Sequence, residues 1–143
     1  MENRIKYLRI TLVLVGLTFI VGLYPLIILW PSGWAWHMEE TYWLPHYLQM
    51  IVGVYVTLGV FLLIASRDPL KHLSLIWFTV WSSVVHAGVM GMQALANPEH
   101  RAHLWGDVPV LFVVAAVLGI VTARAAGTTQ AKSTPRIERS VAA

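Results

Sequence analysis

The chain has 143 residues, 57% hydrophobic and 12% charged, with a mean hydropathy of +0.66. Soluble domains carry about 25% charged residues, so an ordinary soluble protein is excluded, and the length suits one small bundle of spans with no second domain. Cysteine is absent, which excludes disulfides, thiolate metal sites and thiol catalysis; the net charge of +3 comes from basic residues flanking apolar runs, where anionic lipid rather than nucleic acid is the expected partner.

The first residues are short and basic, with Arg4, Lys6 and Arg9. The apolar run behind them ends at Leu29-Trp30-Pro31. It is longer than the roughly 7–15-residue core of a signal peptide and does not end in small residues, so a retained first span over 7–30 is expected. Pro25 lies in its last turns, where it should kink the helix. Trp34, Trp36, Tyr42 and Trp43 crowd the loop 31–45. Such residues prefer the membrane–water interface, and the loop either lies flat at the head groups or forms a lid over a pocket.

A second span is expected over 46–66, a tight turn at Arg67–Lys71, a third span over 72–96 and a second outer loop at Asn97–Gly106. The fourth span, 107–124, opens with Asp107, placed to cap the helix, and Pro109, tolerated in a first turn. Residues 1–126 thus read as one four-span membrane domain. Residues 127–143, rich in small and polar residues, read as a disordered cytoplasmic tail. The expected fold class is all-α integral membrane, an antiparallel four-helix transmembrane bundle, because short loops make antiparallel neighbours. Small residues for close packing are Gly16 and Gly22, Gly53 and Thr57, Gly88 and Gly91, and Ala115 and Gly119.

The third span carries Thr79, Ser82, His86, Met90 and Gln93 at steps of three and four, which places them on one face. On the second span His46, Gln49, Gly53, Thr57 and Val60 share a face in the same way. Depths at about 1.5 Å per residue sort the polar groups into two layers, Tyr24/Gln49/Gln93 and Thr18/Thr57/His86. One reading is an interhelical hydrogen-bond network that fixes packing. The other is an outward-facing pocket with His86 at its floor, in which Gln93, Gln49, Tyr24, Thr57, Met90 and Ser82 contact a ligand. The spans lack the buried carboxylate that coupled transport needs, and His86 has no histidine partner at its depth to hold a haem. No nucleophile elbow, phosphate loop or H-E-x-x-H motif is present, so catalytic residues are not expected. His37, His46, His100 and His103 fall on the outer side with several carboxylates, a donor set that suits zinc or copper.

Trp81-Ser82-Ser83-Val84-Val85-His86-Ala87 and Leu104-Trp105-Gly106-Asp107-Val108-Pro109, set behind a basic N-terminus and a glycine-bearing first span, resemble the small four-span DoxX-like bacterial membrane proteins. That resemblance covers most of Arg4 to Arg124 and implies a bacterial inner-membrane protein with an accessory, quinone-linked role. The long tryptophan-rich first loop departs from the pattern. The expectation is therefore a small non-catalytic inner-membrane protein holding a quinone or lipid. The alternatives are an accessory subunit of a membrane redox complex, through a membrane-protein partner or homo-oligomer, and an outer-surface metal binder.

Orientation follows from charge. Arg4, Lys6, Arg9, Arg67, Lys71, Arg124, Lys132, Arg136 and Arg139 fall on one side of the expected spans and Arg101 alone on the other, which predicts cytoplasmic termini. With no native cysteine to interfere, Ala143→Cys should react with a membrane-impermeant maleimide only in opened cells. Glu40→Cys should react in intact ones.

Overall fold

A computed structural model describes residues 2–29 and 46–133. Among them every regular element is helical. Helix α1 (Glu2–Leu17) passes through a wide π-helical turn, Thr18–Gly22, into α2 (Leu23–Leu29). Helix α3 spans His46–Ala65. A 3-10 turn, Pro69–His72, leads into α4 (Leu73–Ala96), and a second, Pro98–Leu104, leads into α5 (Asp107–Ser133). The tryptophan-rich loop and His37 lie outside the described residues.

Three stretches, Glu2–Pro25, Pro69–Ala96 and His100–Gly127, are long and apolar enough to cross a membrane, and Gln49–Ala65 is a shorter apolar helix. A bilayer core needs about 20 apolar residues. Leu14, Val21, Phe78, Trp81, Val85 and Val113 are each at least 60% exposed, an outer surface that suits lipid rather than water.

The larger apolar cluster of the interior draws on four helices. Leu8 and Leu12 of α1, Leu62 of α3, Ile76 of α4 and Leu118 of α5 are fully buried in it. Helix α4 packs along α5, and α1 lies against both α3 and α5, whereas α3 and α4 meet only sparsely. That uneven packing opens the space described below.

Lipid gives helices no hydrophobic reason to associate, so close backbone approach matters. It occurs where Gly16 meets Gly59. A β-carbon on Gly59 would come within 2.7 Å of the Gly16 carbonyl oxygen and 2.8 Å of Ile20 Cγ1. One on Gly16 would come within 2.9 Å of the Gly59 carbonyl oxygen. The helix α1 partner is thus Gly59, a residue outside the expected small-residue pairs, while a β-carbon on Gly53 or Gly88 would meet nothing within 4 Å among the described residues.

The wide turn follows this contact directly. There the Leu23 N–H reaches back to the Thr18 carbonyl. Pro25, which has no N–H to give to Val21, follows within a turn, so the loss of regular α bonding is concentrated between the glycine contact and the proline.

At the other end of α3, Lys71 Nζ donates to Asp68 at 2.8 Å. That hydrogen bond holds the Asp68 carboxyl below the usual carboxylate range. Its small contribution is present above the ordinary carboxylate pKa and is lost as pH falls through the lowered one. Helix α5 continues to Ser133, beyond the point where a disordered tail is expected to begin; Ala125, Ala126, Gln130 and Ala131 are good helix formers. Residues 134–143 lie outside the described residues.

Gly59→Ala should therefore lower unfolding stability in detergent by about 1–3 kcal/mol, the usual cost of overpacking. Gly53→Ala, with open space around it, should be neutral or stabilising by up to about 1 kcal/mol. Equal losses in both would remove the assigned crossing point.

Candidate functional site

Where α3 and α4 meet sparsely, a cleft of about 310 Å³ lies between them. Met50, Ile51, Val54 and Leu58 line it from α3 and Phe78 from α4; Tyr55, Ser82 and His86 supply the polar atoms. Met50, Val54 and Phe78 are exposed, so the mouth of the cleft faces sideways, where lipid would be.

The Tyr55 hydroxyl and His86 Nδ1 are 2.8 Å apart and join the two helices across the cleft. With the histidine proton on Nε2, Tyr55 donates to Nδ1; in the other tautomer the roles reverse. Tyr55 is itself braced. The buried Phe19 ring meets it edge-on, with centroids 4.9 Å apart and an interplanar angle of 76°. Because Phe19 lies in the π-helical turn, the irregularity in the first helical stretch supports the polar bridge.

A second polar pair lies at the start of α5. His103 Nδ1 stands 2.8 Å and 3.0 Å from the two Asp107 carboxylate oxygens, and both residues are buried. Asp107 also accepts the Val108 N–H at 2.9 Å, so the helix-start residue serves the backbone and the imidazole together. Val108 and Leu111 pack with Ala87, Tyr55 and Met90. The two polar pairs therefore adjoin one another through this packing, since Tyr55 touches the cluster that contains Val108, the neighbour of Asp107.

Of the residues expected from the sequence, the structure brings only His86 and Ser82 into the cleft. Thr57 lines a separate, shallower groove that shares the Met50 and Val54 side of α3. Met90 packs behind the cleft against the start of α5. Tyr24, Gln49 and Gln93 are exposed. Within the expected Thr18/Thr57/His86 layer the threonines do not bridge helices: Thr18 and Thr57 each donate to the carbonyl one turn back in their own helix, at 2.9 Å. A lone hydroxyl in a helix has that local partner available at little cost.

The outer histidines are partly gathered. The His100 and His103 rings lie 6.0 Å apart, and His100 Nδ1 is buried without a hydrogen-bond partner among the described residues. His103 already gives Nδ1 to Asp107. The side chain of His46 is not described. No group of three histidine or carboxylate ligands that could hold a metal ion occurs among the described residues, so these alone do not fit zinc or copper.

Helices throughout the described residues, three of them long and apolar enough to cross a membrane, with exposed apolar flanks and a lateral cleft, define a membrane-type helical protein. The chain belongs to DUF6632, a family of unknown function, whose pattern matches residues 3–140. No curated protein and no solved structure matches it.

Spacing within single helices singles out neither Tyr55 nor Phe19, and it marks His103 and Asp107 separately rather than as a pair. Tyr55 does lie at nearly the depth of His86, and His103 and Asp107 are four apart; depth and spacing were the signals available. A double-mutant cycle of Tyr55→Phe with His86→Ala should show a coupling of about 0.6 kcal/mol, and no more than about 1.7, the range for hydrogen bonds between membrane helices. Asp107→Asn should cost more, about 1.5–3 kcal/mol, because it weakens a charge-assisted bond in a buried place.

Proposed function

We propose that the chain is an antiparallel four-span bundle of the bacterial inner membrane, DoxX-like in layout, with both termini cytoplasmic. In this reading it is not an enzyme. It holds a small amphipathic ligand, a quinone or a neutral lipid, in the cleft between α3 and α4.

The observation that carries the reading is the Tyr55–His86 bridge inside an otherwise apolar cleft. With Tyr55 donating to Nδ1, His86 keeps an Nε2–H donor for a ligand carbonyl. Ser82 gives its proton to the Thr79 carbonyl at 3.2 Å and keeps its acceptor capacity. Among the described residues no lysine, arginine, aspartate or glutamate lines the cleft, which favours a neutral head group. A volume of about 310 Å³ lies at the low end of ligand sites, room for a head group and a short length of chain. Met50 supplies an adaptable wall, and the sideways mouth lets a membrane-dissolved ligand enter without crossing water.

The test is native mass spectrometry of the protein expressed alone and released from nanodiscs. A reproducible bound mass matching a quinone or lipid is expected, reduced about tenfold in His86→Ala, as loss of roughly 1.4 kcal/mol would require. A clean species without ligand would overturn the proposal and move the assignment to an accessory subunit.

A further inference from the structure

A different groove, at the opposite end of the molecule from the His103–Asp107 pair, lies between α1 and α5. It is lined by Arg4, Tyr7, Thr11, Val121 and Arg124 and encloses about 640 Å³. Arg4 Nη1 donates to the Arg124 carbonyl oxygen at 3.3 Å, which ties the two arginine-bearing segments together across 120 residues of sequence. We propose that this groove binds an anionic phospholipid, with the lipid phosphate at Arg4 and one acyl chain running down past Val121.

Its chemistry fits in three respects. A guanidinium has five N–H donors, so the one bond to Arg124 leaves Arg4 able to meet a phosphate in fork geometry. The Thr11 hydroxyl spends its proton on the Tyr7 carbonyl at 2.9 Å, so donors concentrate at the Arg4 end and the deeper wall is effectively neutral. Carboxylates are scarce. Glu2 is the one acid on α1, and Asp107, the one acid on α5, sits at the far end of that helix.

Dimensions point to a lipid rather than to free phosphate. Arg4, Tyr7 and Thr11 are spaced along one face of α1 and descend about 10 Å. The head-group layer is about 5–7 Å deep on each side, so a groove of that depth passes from the head groups into the hydrocarbon. Tyr7, exposed and phenolic, stands at the level where such rings settle. Basic pockets between spans are the usual receptors for anionic head groups, and free phosphate would leave the lower part unused.

Nanodiscs of phosphatidylcholine containing a minor fraction of phosphatidylglycerol give the probe. Native mass spectrometry should find phosphatidylglycerol retained over phosphatidylcholine. Arg4→Gln should weaken that retention about tenfold, the scale of one charge-assisted pair. Arg9→Gln, which removes the same charge outside the groove, should change it less than about twofold. Arg4→Lys keeps the charge but loses the planar fork; it checks folding and should retain phosphatidylglycerol better than Arg4→Gln and less well than the wild type. Equal losses in Arg4→Gln and Arg9→Gln would reduce the effect to diffuse attraction and overturn the site. Displacement of phosphatidylglycerol by millimolar inorganic phosphate would make the ligand a soluble anion and overturn the lipid assignment.

Discussion

The contact between Gly16 and Gly59 is the constraint on which the other arrangements depend. Two backbones meet there with no side chain between them, a β-carbon at either position colliding with the opposite carbonyl. In lipid such contact replaces the hydrophobic drive that assembles soluble helices. It brings α1 against α3 just ahead of the π-helical turn, which carries Phe19 onto Tyr55. Tyr55 then reaches His86 on α4, a helix that α3 otherwise scarcely touches. A steric fact on α1 is thereby linked, through one aromatic ring, to the polar centre of the cleft.

Uneven packing and local hydrogen bonding together decide what the cleft offers. Because α4 is committed to α5, and α3 to α1, the α3–α4 seam stays open and is bridged at its polar point by Tyr55 and His86. Threonines that might have joined the helices satisfy themselves within their own turns. The cleft therefore keeps few polar atoms, and these belong to uncharged or tautomer-switchable groups. The buried His103–Asp107 pair adjoins them through Val108 and Leu111, which pack with Tyr55. That lining sets the cleft apart from the groove between α1 and α5, which carries Arg4 and Arg124.

Long apolar runs, charge asymmetry and turn residues made the helices, their approximate ends and the membrane character readable along the chain. Those features act locally: about 20 apolar residues must satisfy their own backbone in lipid wherever they lie. His86 stood out by the same logic, as an ionisable group in such a run, and it does line the cleft with Ser82. The polar stripe of α4 was less informative. Residues at steps of three and four spread over roughly 80° of helix surface, taking about 100° per residue. Thr79 falls in the buried core, Ser82 and His86 in the cleft, and Gln93 on the exposed surface.

The sequence by itself determined the helical character of the chain, the presence of helices long and apolar enough to cross a membrane, and the unusual place of His86, because composition and spacing within one helix are enough for all three. Only the tertiary structure decided which face His86 meets, that its partner is Tyr55 rather than a threonine, and that Gly59 is the residue pressed against Gly16. The reason is physical. Partners on different helices depend on rotation and crossing point, and these are set by backbone contacts between segments more than forty residues apart, for which no local periodicity carries a signal.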